Sequence, residues 1–385
     1  MNVHSSTPGP LKSATFEIVP MAGSDKVVIF FSATGAKPGI FNFWREGSNL
    51  PCNKIFINNG PNEWYQNGVP GLGCSIEETV TSLKRWVSHL GARHIYTCGG
   101  SMGGYAAILF GALLNARVLS FAAETQLGIE AARSVSHIHP GTPLVIPDLR
   151  PLIRESRKPI SLYIGEMDPI DVYCAANLVG ASNLEITTLI GVDHAPARFI
   201  RDLGLLPEFL SCLINDRAFP QLPANGSVLT MPGFPEAYLR TLQALKRSEW
   251  EIAENLGLGA LDLHPTSDYG RYMVALAQHK QKKNVEALKN ASLAAALARD
   301  STDETARIKV LLAGCVRAMG DPVRASQIYT AVAEAYPDEH RAHYGKGLCH
   351  LNMKQPAEAL ACFEAAFAIQ PSNETYRKKL AAYQR

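Results

Sequence analysis

Serine, carboxylate and histidine side chains are the groups in this chain whose setting suits covalent chemistry. Gly99-Gly100-Ser101-Met102-Gly103 fits the pattern G-x-S-x-G. The apolar run His94–Cys98 precedes it, and Gly104, Tyr105, Ala106 and Ala107 open a helix after it. So sharp a turn from strand into helix strains the serine backbone and exposes Oγ, while flanking glycines let neighbouring backbone approach without a Cβ clash. A serine hydroxyl is a weak nucleophile at neutral pH. It needs a histidine to take its proton, and the histidine needs a carboxylate to fix its tautomer. Two later loops offer such groups. Gly165-Glu166-Met167-Asp168 follows the apolar run Ile160–Ile164, and Gly191-Val192-Asp193-His194 follows a run ending in Leu189-Ile190. His137 and His139 form an H-x-H pair, but no further ligands lie at metal-site spacing, so no metal is expected.

Over residues 26–215 the chain resembles the α/β-hydrolase superfamily, in which nucleophile, acid and histidine follow in that order, the acid and the histidine each just past a later strand. The resemblance implies a triad of Ser101, Asp168 and His194, with Asp171 and Glu166 as rival acids. It implies an oxyanion hole built from the N–H of Met102 and an N–H of the loop Ser32-Ala33-Thr34-Gly35, from Ala33 or Thr34. Many members carry His-Gly in that loop; this chain does not, which leaves the substrate class open. The loop 58–73 lies close to where members line the pocket, which makes Trp64 and Tyr65 candidate substrate-binding residues. No cofactor is implied.

The elements that must position these groups read as an α/β fold with a mostly parallel, doubly wound sheet. Strands are expected at Lys26–Phe31, Lys54–Asn58, His94–Cys98, Val118–Ala122, Ile160–Ile164 and Leu184–Ile190, most as continuous apolar runs suited to a sheet covered on both faces. Ser75 and Glu78 form a capping box before Val80, Leu83, Val87 and Leu90, which share one helix face. Residues 126–159, rich in Pro and His, are too long for a plain connection and read as a lid.

Four prolines and two glycines between Phe219 and Pro235 mark a linker, dividing a catalytic unit 1–218 from a helical unit 236–385. In the helical part, Ala325, Tyr329 and Pro337 recur 34 residues on as Ala359, Phe363 and Pro371. Small, aromatic and proline residues in this order at this period resemble the tetratricopeptide repeat. Gly347 and Ala313 take the small position of the first helix, and a degenerate copy around 272–303 carries Ala291 where the aromatic should stand. About three repeats are expected, an all-α array in which each pair is covered by the next.

Hydrophobic residues make up 46% and charged residues 19% of the 385, with a net charge of +2, so disorder and nucleic-acid binding are not expected. No apolar stretch reaches the length of a membrane span, and eight cysteines without CxxC pairs suit a reduced, cytoplasmic protein. The expected activity is hydrolysis of a carboxylic ester through an acyl-enzyme, with the repeats recruiting a protein partner or large substrate. The alternatives are acyl transfer by the same triad and a non-catalytic adaptor. The combination of features also resembles hydrolase-like proteins of bacterial surface-polysaccharide assembly, which implies an acylated sugar as substrate.

Overall fold

Seven strands form one sheet: β1 (Phe16–Val19), β2 (Lys26–Phe31), β3 (Asn53–Ile57), β4 (His94–Gly100), β5 (Arg117–Phe121), β6 (Ile160–Gly165) and β7 (Leu184–Leu189). Their order is β1-β3-β2-β4-β5-β6-β7; β1 runs antiparallel to β3, and every other pairing is parallel. The computed structural model describes residue 9 and residues 11–299 and 302–383. It divides into two units, Met1–Thr230 and Met231–Arg385.

The six expected strands are all present. Every position of β3 and β6 is buried, because helices cover both faces and leave no side for polar alternation. The edge strand β1 is an addition; it has four residues, and only Phe16 and Ile18 face inward. The helix Ile76–His89 starts where its cap predicts, with Ser75 Oγ accepting the Glu78 N–H at 3.1 Å. The reciprocal bond differs from a capping box: Glu78 reaches past Ser75 to the N–H of Cys74, 2.8 Å away. Residues 126–159 carry two short helices, Arg133–His137 and Arg150–Glu155, and are tied at their base by a bridge between Gln126 and Asp148.

The boundary, after Thr230, lies within the stretch expected as a linker, but residues 219–228 belong to the first unit and are packed within it. Phe219 stacks on Phe209 at 5.3 Å, Leu222 and Ala224 are buried, and Asn225 bridges to Leu189 at the edge of β7. Glu166 secures this strap, since its Oε1 accepts from Val228 N–H at 3.0 Å and from Thr188 Oγ at 2.6 Å. A carboxylate among the rival acids thus belongs to the strap. At the other end, Phe234 and Pro235 already open a helix.

The second unit is a series of helical hairpins: Phe234–Lys246 with Trp250–Leu263, Asp268–Lys280 with Asn284–Leu297, Asp303–Ala318 with Pro322–Ala335, and His340–Asn352 with Pro356–Ile369, closed by Glu374–Ala381. The first hairpin lies before the repeats expected from sequence. The small–aromatic spacing has a steric cause. A Cβ on Gly347 would lie 2.5 Å from the Phe363 ring, and one on Gly345 would lie 2.2 Å from the Tyr329 ring. The large ring of one helix needs bare backbone on its neighbour. Among the described residues no helix is long and apolar enough to cross a membrane, and all eight cysteines are free thiols.

Candidate active site

Ser101 stands between the end of β4 and the helix Met102–Leu114, with φ 56° and ψ −123°, a strained conformation for a residue bearing a Cβ. What permits it is the crossing of bare backbones. A Cβ on Gly99 would lie 2.0 Å from the carbonyl oxygen of Gly103, and one on Gly103 would lie 2.1 Å from that of Phe31. At Gly100 the nearest atoms are 3.8 Å away, so this glycine is not demanded by the turn. The motif's two fixed glycines are therefore the two that the packing requires.

His194 comes from the loop after β7. Gly165, at the end of β6, lets that loop lie across it: a Cβ there would meet the carbonyl oxygen of Asp193 at 2.0 Å. His194 Nε2 then lies 2.8 Å from Ser101 Oγ. On the other side of the ring, Nδ1 lies 2.7 Å from Asp171 Oδ2.

Asp168, the acid favoured from sequence, is not the direct partner; its Oδ2 is 4.0 Å from Nδ1. It is the N-cap of the helix Pro169–Ala176, and its Oδ1 accepts the N–H groups of Ile170 and Asp171, each at 3.0 Å. That bond turns Asp168 back along the chain. Asp171, in the first turn, faces the imidazole instead and is fully buried. The remaining oxygen of Asp168 accepts from Arg133 Nη2 at 2.7 Å.

These charges shape the site's titration. Burial disfavours ionised His194, but Asp171 outweighs it, and the imidazole pKa is raised above its ordinary value. Burial likewise opposes ionised Asp168; Arg133 and then His194 overcome it, bringing the carboxyl to about 2. Asp171 is shifted upward by burial and by the charge on Asp168, against the pull of His194. Glu124, buried nearby and bonded to Ser134, is also shifted upward, chiefly by burial. Asp168, Asp171 and His194 are the group, among the described residues, whose ligand atoms lie close enough to share an ion. Arg133 and Ser101 already pair with two of the three.

A cavity of about 170 Å³ opens beside Ser101, walled by Phe43, Phe121, Pro196 and Ala197, with Asn42 and Arg198 also on its lining. Ala33 lines it, and its N–H donates to Asn42 Oδ1 at 2.7 Å; Thr34 is not among the lining residues. Met102 opens the helix, where its N–H has no acceptor within the helix. Trp64 and Tyr65 do not form a binding platform, because both are fully buried. The Tyr65 hydroxyl donates to the Ser32 carbonyl at 2.9 Å, so the ring secures the loop that carries Ala33. His137 and His139 are exposed, and each Nδ1 lies 2.9 Å from a backbone carbonyl. Sequence reasoning missed Arg133 and Asn42, since neither sits in a motif.

The family model for the tetratricopeptide repeat matches residues 340–373, so the C-terminal part contains such a repeat. No curated protein matches the chain. Among solved structures, the chain is similar to pilF of Pseudomonas aeruginosa, at 21% identity over 39% of this chain and 67% of that one, with a TM-score of 0.35. It is similar to a tetratricopeptide protein of Thermus thermophilus, at 19% identity over 39% and 81% of the two chains, with a TM-score of 0.35. It is also similar to YrrB, a tetratricopeptide protein with an unusual peptide-binding site, at 16% identity over 56% and 92%, with a TM-score of 0.35.

Proposed function

We propose that the first unit is a serine acyl hydrolase of α/β-hydrolase type and that the repeat unit binds a protein partner or a large substrate. The observation that carries the catalytic reading is the unbroken line Ser101 Oγ, His194, Asp171, with contacts of 2.8 and 2.7 Å. The strained serine after β4, the acid after β6 and the histidine after β7 support the superfamily resemblance. In this reading His194 Nε2 takes the Ser101 proton as Oγ attacks an ester carbonyl. The Met102 N–H donates to the oxyanion. Collapse expels the alcohol, protonated by His194, and water then attacks the acyl-enzyme with His194 again as base. Asp171 holds the ring and steadies the imidazolium. An alcohol in place of water gives acyl transfer.

A second reading, an adaptor working through its repeats, is favoured by the family match at 340–373. The test is intact-mass analysis after treatment with a fluorophosphonate. The expected result is one adduct on the native chain and none on Ser101→Ala. A native chain that takes no adduct leaves the adaptor reading.

A further inference from the structure

Arg133 takes no part in the steps above, yet it is aimed at the acids beside His194. It opens the helix Arg133–His137, in the excursion between β5 and β6. Asp168 Oδ1 is committed to the helix cap, so Oδ2 is the oxygen able to turn toward His194 Nδ1, 4.0 Å away. That is the atom Arg133 holds, at 2.7 Å. Two carboxylates within reach of one Nδ1 would otherwise compete for the same N–H.

We propose that Arg133 is a positioning residue, clamping Asp168 off the imidazole so that Asp171 alone orients it. The inference rests on reading Ser101, His194 and Asp171 as the reacting groups. It also gives the excursion 126–159 a task, through the Arg133 side chain that reaches Asp168. The charged groups facing His194 are Asp168 and Asp171 at the start of one helix and Arg133 from the excursion, with Glu124 behind it. Arg198 lies on the cavity wall. The cation of Arg133 opposes protonation of His194, and the anion of Asp168 favours it. Removing either member of the clamp should therefore move His194 in opposite directions.

The experiment follows His194 by NMR titration in the full-length protein, which needs no turnover, alongside the pH dependence of ester cleavage. Arg133→Met should move the titration to higher pH by roughly one unit, as expected for one charge at this range. Asp168→Asn should move it lower; its side-chain oxygen still caps the helix, so this arm stands even if Arg133→Met does not fold. The double variant should return near the native midpoint, and Arg133→Lys, which keeps the charge, should stay near it. The rising limb of kcat/KM should follow these midpoints. Equal directions in the two single variants, or no shift in Asp168→Asn, overturns the clamp. Opposite shifts in a protein whose Ser101 takes no fluorophosphonate support the clamp while removing the hydrolase reading.

Discussion

Asp171 Oδ2 lies 2.7 Å from His194 Nδ1, from a side chain with no solvent exposure in the first turn of its helix. A buried carboxylate against one ring nitrogen fixes which nitrogen carries the proton and leaves the other to face Ser101 Oγ. In the proposed mechanism the same contact would stabilise the imidazolium formed as Ser101 attacks.

Asp171→Asn should therefore cost on the order of 10³–10⁴ in kcat, as the loss of the orienting acid does in other triads. Asp168→Asn keeps an oxygen on the Ile170 and Asp171 N–H groups and should cost far less. Steady-state kinetics on an activated ester, with circular dichroism to confirm folding, measures both. A larger loss in the Asp168 variant would return the role to that residue.

The pH profile follows from the charge around His194. In the proposed mechanism His194 must be neutral to accept the serine proton, and its pKa is raised by Asp171 against the effect of burial. A raised pKa moves the protonated, inactive form to higher pH, so the rising limb of kcat/KM should have its midpoint above the ordinary histidine value of about 6.5. A midpoint below that value would mean that burial prevails over the Asp171 charge.

Much of this arrangement could be read from residue order. Ser101 and His194 each stand in a short glycine-led turn after an apolar run, so their places follow from where a strand ends. The acid was harder. Asp168 and Asp171 both lie shortly after their strand, and nothing in the residue order tells which of them caps the helix and which faces the histidine. That depends on a backbone turn and on Arg133, which arrives from 35 residues earlier. Trp64 and Tyr65 were misplaced for a related reason. An aromatic pair in a glycine-rich loop suits a rim or a core equally, and only three-dimensional packing buries both. In the repeats, Gly347 and Phe363 were legible because a steric contact fixes their types. The first hairpin carries no such pair, and only the prolines and glycines before it signal a boundary in the residue order.

Under the proposed function the cavity beside Ser101 would limit the acyl group. At about 170 Å³ it is comparable with a cavity that accommodates benzene, and its walls include Phe43 and Phe121. Acetyl to butyryl esters should be cleaved about tenfold faster in kcat/KM than octanoyl esters, because a chain longer than the cavity must crowd its walls at a cost of about 1–3 kcal/mol. A series of p-nitrophenyl esters checks this. Increasing rates up to octanoyl would show that the site continues past these walls.

The last prediction concerns where the first unit ends. Cutting after Ala218 removes the strap that runs back along β7. Phe219 leaves its stack with Phe209 and its edge contact with Tyr163, and Arg117 loses the ring beneath its guanidinium, 5.1 Å away. Leu222 and Val228 leave buried sites. The backbone is affected too: the Ile190 N–H loses the Ala224 carbonyl, and the Thr188 carbonyl loses the Gly226 N–H, at 2.8 and 2.7 Å. At about 1.5–3 kcal/mol for each fully buried apolar side chain, Leu222, Val228 and the half-buried Phe219 amount to at most roughly 4.5–9 kcal/mol. That is comparable with the whole stability of a typical domain, about 5–15 kcal/mol. Residues 1–218 should accordingly be insoluble or unfold far below the full chain, and the bared edge of β7 would favour association. Residues 1–230 keep the strap and every contact of Ser101, His194 and Asp171, so they should fold and retain turnover of small esters. Thermal unfolding and ester cleavage on the two fragments decide the matter. Equal stability of both would show that the strap is passive, and loss of both would show that the first unit depends on the repeats.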